Sequence, residues 1–551
     1  MGSLLHDLKT YNTNSLICDL LAGSTVAIIL IPQGMAYALM AGFPPIYGLY
    51  AALVPILIYP FLGSSRFLSV GPVALVSIIV LSGLSQFAAP MSSEFIRLAI
   101  LVSLLAGIIQ IALSIFKLGF LVNFLSHPVI SGFTSAAAFI IIFSQVKYIL
   151  GIEPDRGSNI IQTINGLTAK IHDTNMTALV IGITSLVIII LIKKVKKTIP
   201  GALIVVLAGI ALVYSTGLDK DGLDIVGKVP SGLPSFTLLH YSYEDIIMVL
   251  PLAMVVCVIS FIESLAIAKS LAAKQGSFDI NADKELLALG LAKVCGSFFQ
   301  AFPNTGSFSR SAVNEEAGAK SGLASIFAGL FIGMTLLFFT GFFYYLPKAV
   351  LGAIVISAVF NLIDLKKAIH LFKTHRGDFF VLLITFLMTL LLGVQQGVFA
   401  GIVLSLFILV AKVSKPHYAV LGELGDSQIY KNVNRFEEAI TINHRLILRY
   451  DDDIYFGNAQ HFFDTVLTEI SKKTETKELL LDFSAVSSID STGLAQLKLL
   501  IDILKSKNID LHLCSIKGPV RDYFAINEMD DLLDKENKHW NIKSALTSMS
   551  K

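Results

Sequence analysis

The chain has 551 residues, of which 54% are hydrophobic and 15% charged, and its mean hydropathy is +0.73. Soluble globular chains carry about 25% charged residues, so this composition excludes an ordinary soluble protein and indicates an integral membrane protein. The formal net charge of +2 does not suggest a nucleic-acid partner, and the four cysteines show no metal-ligand spacing.

Apolar segments long enough to cross a bilayer fill most of the first 415 residues. A spanning helix needs about 20 mostly apolar residues. We predict fourteen spans, at about 16–41, 45–62, 72–87, 97–116, 129–149, 177–192, 200–216, 247–270, 285–300, 309–320, 323–345, 349–365, 378–394 and 396–413. The predicted domains are an N-terminal segment over 1–15, a transmembrane domain over 16–415 and a polar domain over 422–551.

Lysine and arginine are concentrated after even-numbered spans, in "KKVKK" (Lys193–Lys197) and in "DLKKAIHLFKTHRGD" (Asp364–Asp378). Cytoplasmic loops of membrane proteins carry an excess of these residues. We therefore predict that the N-terminus and the polar C-terminal domain are both cytoplasmic. The expected location is a plasma membrane, namely the inner membrane of a bacterium.

The membrane part divides near His240 into two halves of seven predicted spans, and an odd number gives the halves opposite orientation. Each half contains an interrupted segment, "SVGPVALVS" (Ser69–Ser77) and "GSFSRSAVN" (Gly306–Asn314). Glycine and proline early in a helix mark its start, so we predict two half-helices that begin in mid-membrane and face each other. Such ends carry free N–H groups and partial positive charge, which favour an anion. For either break alone, the alternative is a packing kink.

Arg310 and Glu263 are ionisable residues within this apolar sequence, and ionisable residues inside a membrane are functional candidates by default. Arg310 would supply a fixed positive charge beside the anion; the alternative is a structural bridge to Glu315, Glu316 or Glu263. Glu263 would carry a proton, with a structural hydrogen bond as its alternative.

The first span offers two polar side chains that a ligand could use. Gln33 and Tyr37 are four residues apart and therefore lie on one helix face. They would present an amide and a phenol to the anion. The alternative interpretation is hydrogen bonding between helices inside the bundle.

These segments together resemble the sulfate permease (SulP) family, also called solute carrier family 26. The resemblance is carried by "IPQGMAYALMAGFPPIYGLYAALVP", "SVGPVALVS", "NTGSFSRSAVN" and "IDSTGL", and extends from about Leu16 to Ala545. It implies two intertwined seven-segment inverted repeats. Spans one to four and eight to eleven would form a core domain, which moves like an elevator against a gate domain of the other six, in a homodimer.

The resemblance also implies a binding site between the starts of spans three and ten, against span one. By motif match, its residues come from these three spans and are Gln33, Tyr37, Gly71, Pro72, Val73, Phe308, Ser309 and Arg310.

The C-terminal domain has the alternating pattern of an α/β fold. We predict strands at "RLILRY", "DIYFGNA", "KELLLDFSAV" and "IDLHLCSI", and helices over Gln460–Lys472, after "IDST" and within "GPVRDYFAI". The domain resembles a STAS domain, the module also found in bacterial anti-sigma-factor antagonists. In those proteins the serine matching Ser491 is phosphorylated. The alternative is that Asp490 and Ser491 only cap the helix.

The sequence thus predicts a secondary active transporter of an inorganic anion, with sulfate uptake coupled to protons through Glu263. The alternatives are bicarbonate or chloride transport, by sodium coupling or exchange, and, in a different class, a non-transporting anion sensor. Because no nucleophile–base pair, metal cluster or cofactor fingerprint is evident, we expect no enzyme activity, cofactor or metal. The expected partners are the anion, a proton or sodium ion, membrane lipid and a second copy of the chain, but no nucleic acid.

Overall fold

A computed structural model describes residues 11–120, 126–154, 160–195, 201–238, 240–276, 280–425, 427–527, 529 and 535–549. The chain forms two compact units, residues 1–405 and 406–551. In the described residues, the first unit is helical with two short strands, and the second is α/β. Most of the predicted N-terminal segment, residues 1–10, and the second half of "KKVKK", Lys196 and Lys197, lie outside the described residues.

The helical part of the chain contains sixteen described α-helices and two strands of two residues each. In chain order they are α1 (Thr13–Met40), α2 (Ile46–Leu62), β1 (Val70–Gly71), α3 (Ala74–Leu84), α4 (Ser93–Ile115), α5 (His127–Leu150), α6 (Ile160–Ala169), α7 (Met176–Val195), α8 (Gly201–Thr216), α9 (Tyr243–Lys274), α10 (Ala282–Phe298), β2 (Thr305–Gly306), α11 (Phe308–Glu316), α12 (Leu323–Met334), α13 (Lys348–Val359), α14 (Leu365–Thr374), α15 (Arg376–Leu392) and α16 (Val394–Val413).

Seven helical segments of the described chain are long and apolar enough to cross a membrane, and they include α1, α4, α5, α7 and α9. Four shorter apolar helices accompany them, namely α2, α3, α8 and α13. The prediction of a multi-span helical membrane protein is confirmed. Each of the fourteen predicted spans contains one described helix, but the number of actual crossings stays a prediction.

Two helices fall where the sequence analysis placed loops, α6 and α14. In α14 the apolar residues Leu365, Ile369 and Phe372 are exposed and recur at helical spacing. The Asp364 side chain accepts a hydrogen bond from the Lys367 backbone at 2.9 Å and so caps the helix. We interpreted this segment from its positive charge alone, which does not distinguish a loop from an amphipathic helix.

The helices of the first unit separate into two packing groups. The core group contains α1 to α4 and α9 to α12, in which α10 packs on α4 and α2, and α12 packs on α1. The gate group contains α5, α7, α8, α13 and α15, in which α13 and α15 pack on α5. Each group combines helices from both halves of the chain, as expected for intertwined repeats.

Glycine pairs allow helices of the core group to touch at the backbone. A Cβ atom added to Gly48 of α2 would lie 1.9 Å from the carbonyl oxygen of Gly34 in α1. A Cβ on Gly107 of α4 would lie 2.8 Å from the carbonyl oxygen of Gly290 in α10. Small residues at such crossings permit the close approach on which helix packing in a membrane depends. This packing fixes α1 against α2, and α4 against α10, around the site described below.

In the part of the second unit that the structure describes, seven strands form one sheet that is covered by helices. Its elements are β3 (Tyr418–Leu424), β4 (Tyr430–Asn432), β5 (Ala439–Ile440), β6 (Arg445–Tyr450), α17 (Ala459–Lys472), β7 (Glu478–Asp482), α18 (Ser491–Ser506), β8 (Asp510–Cys514), α19 (Gly518–Ile526), β9 (Lys538–His539) and α20 (Ile542–Met549). The strand order is β4-β3-β6-β7-β8-β9, with β5 paired to β3. Strands β6 to β9 are parallel, whereas β3 joins β6 antiparallel.

Successive side chains of a strand point to opposite faces of the sheet, and here both faces carry apolar side chains. Leu446 and Leu448 of β6 pack with α17 and α18, whereas Ile447 packs on the opposite face with Ala545 and Leu546 of α20. Both faces of the sheet therefore contribute buried apolar residues.

The predicted strand "DIYFGNA" is wrong. Only Ile454 pairs, in an isolated bridge to Ile489, and the Asn458 side chain accepts a hydrogen bond from the Tyr455 backbone at 3.0 Å. This side-chain bond closes a turn before α17, and asparagine and glycine favour a turn over a strand.

Candidate anion-binding site

The two interrupted segments meet in one small antiparallel sheet. Val70 of β1 pairs with Gly306 of β2, and Gly71 pairs with Thr305. The Ser307 backbone also donates to the carbonyl oxygen of Ser69 at 3.0 Å. Because antiparallel strands run in opposite directions, the helices that follow them leave the sheet in opposite directions. The structure therefore brings together the starts of α3 and α11, the two predicted half-helices.

Neither half-helix has a side chain that caps its first turn. The N-cap residues are Val73 for α3 and Ser307 for α11, and neither side chain accepts a hydrogen bond from its own helix. The first N–H groups of a helix have no partner within the helix, and together they carry about half a positive charge. These two ends can therefore offer N–H donors to an anion.

Arg310 lies in the first turn of α11, and its side chain is fully buried. Its Nη1 atom donates to the carbonyl oxygen of Pro72 at 3.0 Å, while Nε and Nη2 have no hydrogen-bond partner. The alternative salt bridges are not formed within the described part of the chain: Glu315 instead accepts from Lys274 at 2.5 Å and from Gln275 at 3.1 Å. Two of the three nitrogens of this buried guanidinium, with three N–H groups between them, are thus left for a ligand.

Gly71 and Pro72 shape the space around this guanidinium. A Cβ added to Gly71 would lie 3.3 Å from Nη2 of Arg310 and 3.5 Å from Cδ1 of Leu30. The carbonyl of Pro72 orients Arg310 from the opposite half of the repeat. Glycine at position 71 therefore lets the backbone of β1 lie beside the free guanidinium nitrogen, which is itself buried.

Two residues of α1 face the same region. Gln33 and Tyr37 are both buried, and Gln33 Oε1 has no hydrogen-bond partner. Tyr37 lies close enough to Arg310 and Glu263 to interact with both electrostatically. The face of the first span that carries Gln33 and Tyr37 thus borders the two charged residues, Arg310 and Glu263. Hydrogen bonding between helices, the alternative interpretation, does not engage the Gln33 carbonyl.

Glu263 of α9 is partly exposed, but its Oε2 atom is buried and has no hydrogen-bond partner. It interacts with Arg310 electrostatically without forming an ion pair within the described residues. A structural hydrogen bond, the alternative role of Glu263, is therefore not formed at Oε2. A carboxylate in this position can take up a proton without first breaking a contact there.

Phe308 and Ser309 are the two predicted site residues that are not enclosed. The Phe308 side chain is 59% exposed and Ser309 is also exposed, while Val73 is buried. The Ser309 hydroxyl lies 3.3 Å from that of Ser307. The site is therefore walled by α1, β1 and Arg310 but accessible along the first turn of α11.

The structure adds polar groups that the sequence analysis did not select. Asn304 is fully buried directly before β2, and neither its Nδ2 nor its Oδ1 has a partner. The Ser69 hydroxyl is also buried without a partner. The available sequence signal was their position at or just before the start of the two interrupted segments, where polar residues are expected to form turns rather than line a site.

Three hydroxyl-bearing residues attach β2 to α9. Thr305 Oγ1 lies 2.6 Å from the Ser260 carbonyl oxygen and 2.7 Å from Ser264 Oγ, and Ser264 Oγ accepts from the Gly306 backbone at 2.8 Å. Ser260 and Ser264 flank Glu263 in the sequence. The carboxylate and the start of α11 are therefore held in one rigid arrangement.

Comparison with known proteins agrees with this architecture. The model of the sulfate permease family matches residues 16–385, and that of the STAS domain matches residues 436–545. The chain belongs to the sulfate permease family. The C-terminal α/β unit is accordingly a STAS domain, which confirms the resemblance that the motifs indicated.

Among relatives in the sulfate permease family, the chain is 38% identical to "Sulfate transporter 4.1, chloroplastic" of Arabidopsis thaliana over 550 residues, covering 97% of this chain and 80% of the relative. It is 37% identical to "Probable sulfate transporter 4.2" of the same plant, with the same coverage. The family is one of anion transporters, so we classify this protein as a transporter rather than an enzyme.

Solved structures of other transporters share the fold. The structure of murine Slc26a9, described as an anion transporter in the inward-facing state, superposes with a TM-score of 0.92 at 26% identity, over 100% of this chain and 94% of that one. The transmembrane domain of the cyanobacterial bicarbonate transporter BicA has a TM-score of 0.62 at 22% identity and covers 71% of this chain and 98% of that one. The second likeness concerns the fold alone.

Proposed function

We propose that this protein is a secondary active transporter that takes up sulfate together with protons. The observation that carries the proposal is Arg310, a fully buried guanidinium with two unfilled donor positions beside two uncapped helix N-termini. A tetrahedral oxyanion with four acceptor oxygens can use such donors at once. Relatives named as sulfate transporters, at up to 38% identity over nearly the whole chain, support sulfate as the substrate.

Proton coupling follows from the charges at the site. Sulfate brings two negative charges to a site whose fixed positive charge is Arg310. An ionised Glu263 beside it would repel the anion, and a protonated Glu263 would not. Binding of the proton and binding of the anion therefore favour each other, and this linkage is reciprocal. This coupling between proton binding and anion binding supports uptake of the anion driven by a proton gradient.

Elevator-type alternating access is supported by the two packing groups. The half-helices α3 and α11, together with α1 and α9, belong to the core group. The anion would therefore travel with the core group as it slides against the gate group. We further propose a homodimer in a plasma membrane, that of the bacterial inner membrane, with N-terminus and STAS domain in the cytoplasm, as the lysine distribution favours.

Ser491 is the proposed regulatory residue of the STAS domain. It is exposed at the first position of α18, while Asp490 serves as the N-cap and accepts from the Gly493 backbone at 2.7 Å. Since Asp490 provides the cap, the Ser491 hydroxyl is free for modification. A phosphate there would lie at a helix N-terminus, where negative charge is favoured.

The test of the transport proposal is uptake of labelled sulfate by purified protein in liposomes. With the outside acidic, we expect accumulation above equilibrium, and accumulation should stop when a protonophore removes the gradient. Uptake of bicarbonate or chloride without sulfate, or uptake that needs sodium, would replace the proposal with its alternative. Anion binding without flux in the same vesicles would identify a sensor.

A further inference from the structure

Lys293 is a buried cation to which the transport proposal assigns no role. It lies within α10, and its side chain is fully buried in the core group. Its Nζ atom donates to Oε1 of Gln110 in α4 at 3.1 Å. Across the described residues no carboxylate forms an ion pair with it, and the ionisable group that faces it is the thiol of Cys257 in α9. An ammonium group in such surroundings is costly unless its donors are used.

The contact with Lys293 fixes the orientation of the Gln110 amide. The ammonium group can only donate, so it must face the amide oxygen. The amide nitrogen Nε2 then donates to the carbonyl oxygen of Cys257 at 2.9 Å and to Ser260 Oγ at 3.0 Å. If the amide were flipped, its NH2 group would face the Lys293 ammonium group, so that two donors met. Its oxygen would then face the Cys257 carbonyl oxygen, so that two acceptors met. Lys293 and the Cys257 carbonyl therefore both hold the Gln110 amide in the orientation that presents its donors to α9.

Ser260 passes this constraint to the strand before α11. Its carbonyl oxygen can only accept, so the Thr305 hydroxyl donates to it at 2.6 Å. Thr305 Oγ1 then accepts from Ser264 Oγ at 2.7 Å, and Ser264 Oγ accepts from the Gly306 backbone at 2.8 Å. One set of hydrogen bonds thus joins the buried ammonium group to the Ser260 hydroxyl, and a second set joins the Ser260 carbonyl to β2. Ser260 connects the two sets through its own covalent backbone.

We propose that Lys293 is a positioning residue of the anion site: through Gln110 and Ser260 it holds β2 and, with it, the uncapped start of α11. The inference rests on the proposed anion site but not on the identity of the anion. Lys293 itself does not touch the ligand. Loss of the Lys293 side chain should weaken anion binding, because Arg310 and the N–H donors at the start of α11 shift from their places. The movement of the core group against the gate group should remain.

The test uses the full-length protein with Lys293→Met, Gln110→Leu and the double variant. We expect each single variant to raise the KM for sulfate uptake about five- to tenfold, within the range for the net contribution of one ordinary hydrogen bond, and to leave the maximal rate within about twofold. The KM of the double variant should not exceed that of the more impaired single variant, because both changes interrupt one path. The matched control is Lys193→Met, which removes a lysine that donates to Ser357 Oγ at 2.8 Å in the gate group.

Hydrogen–deuterium exchange provides a readout that needs no anion. In Lys293→Met and in Gln110→Leu, the peptide that contains Gly306 and Ser307 should exchange at least about tenfold faster than in wild type, whereas Lys193→Met should leave it unchanged. Unchanged exchange together with an unchanged KM, or additive effects in the double variant, would overturn the inference. Should wild type fail to transport sulfate, the proposed function fails, and the exchange result still decides the role of Lys293.

Should Lys293→Met fail to assemble, Gln110→Leu carries the same test, since it interrupts the path one step later. Thermal unfolding of each variant shows whether a raised KM comes from a folded protein. A Gln110→Leu variant that is folded and has wild-type exchange at Gly306 and wild-type KM contradicts the inference by itself.

Discussion

The guanidinium of Arg310 donates from Nη1 to the carbonyl oxygen of Pro72 at 3.0 Å, although the two residues lie 238 positions apart in the chain. Pro72 follows β1 and Arg310 follows β2, so the contact joins the two half-helix starts. The bond orients the charge and leaves Nε and Nη2 without partners. The positive charge is thus fixed in direction and still available to an anion.

Replacement of Arg310 should remove most of the affinity for the anion. Arg310→Ala loses the charge and both free donors, and we expect KM for sulfate to rise more than tenfold, since a charged hydrogen bond contributes about 1.5–3 kcal/mol. Arg310→Lys keeps the charge but not the planar fork, so it should recover only part of the affinity. The measurement is concentration-dependent uptake in proteoliposomes. Arg97→Ala, which removes a charge paired with Asp245 at 2.9 Å, is the control and should transport normally.

Replacement of Glu263 should separate anion binding from the proton gradient. Glu263→Gln mimics the protonated side chain at every pH, so we expect uptake to become equal at pH 5.5 and 7.5 while binding persists. Wild type should take up more sulfate as the outside becomes more acidic. The control is Glu315→Gln, whose carboxylate is paired with Lys274. A variant that keeps the wild-type pH profile would remove Glu263 from the coupling mechanism.

Filling the space at Gly71 should weaken binding without unfolding the protein. The added methyl group of Gly71→Ala would lie 3.3 Å from Nη2 of Arg310, tighter than ordinary van der Waals contact. We expect KM to rise several-fold because the methyl group displaces the free guanidinium nitrogen or blocks the anion from reaching it. Gly341→Ala is the matched control, since a Cβ there would meet no atom within 4 Å. Equal KM values for the two variants would show that position 71 does not border the ligand.

Two imidazoles in the STAS domain should make its stability depend on pH. His512 Nδ1 lies 3.0 Å from His539 Nε2, and burial lowers the pKa of both side chains. Glu478, Asp510 and Arg445 are the charged groups that face His512. Unfolded histidine titrates near pH 6.5, so below that value the unfolded state binds more protons than the folded state and stability falls as pH falls.

Trp540, the one tryptophan of the sequence, makes this pH dependence measurable in the full-length protein. It follows His539 directly, and its ring centroid lies 5.4 Å from the guanidinium carbon of Arg521. Unfolding of the domain should change its fluorescence. We expect the unfolding midpoint to decrease from pH 7.5 to 5.5, and His539→Asn to reduce that decrease. A midpoint that does not vary with pH would contradict the prediction.

Asp490 and Ser491 should differ clearly in their effect on the STAS domain. Asp490 accepts from the Gly493 backbone at 2.7 Å and from the Phe456 backbone at 2.8 Å. We expect Asp490→Ala to cost about 1–3 kcal/mol of unfolding free energy, because it removes a helix cap and a second contact. Ser491→Ala is the control and should cost less than about 0.5 kcal/mol. Urea unfolding followed by Trp540 fluorescence measures both.

Much of the site was predictable because its backbone chemistry is visible in the sequence. Gly71-Pro72 and the serines around Arg310 interrupt apolar sequence, and such interruptions mark helix starts. The pairing of β1 with β2 was not predictable, because two residues carry no strand periodicity. Asn304 and Lys293 were missed for another reason. A side chain's use depends on what surrounds it, and Gln110, the partner of Lys293, lies 183 residues away in the chain.

The membrane helices were located well because length and apolar content alone determine them. The failures were short polar segments, where local contacts decide the structure. "DIYFGNA" has strand-forming residues, but Asn458 closes a turn within it. The α14 segment was interpreted from its charge, although its apolar residues recur at helical spacing. In both cases the competing signal was present but weaker than the one that was used.

The main-chain hydrogen bonds between β1 and β2 have a consequence for discrimination among ions. Since these bonds tie the two helix tips together, the gap between the tips keeps one width whichever side of the bilayer it opens to. We therefore expect the protein to rank anions of different radius in the same order during import and during export.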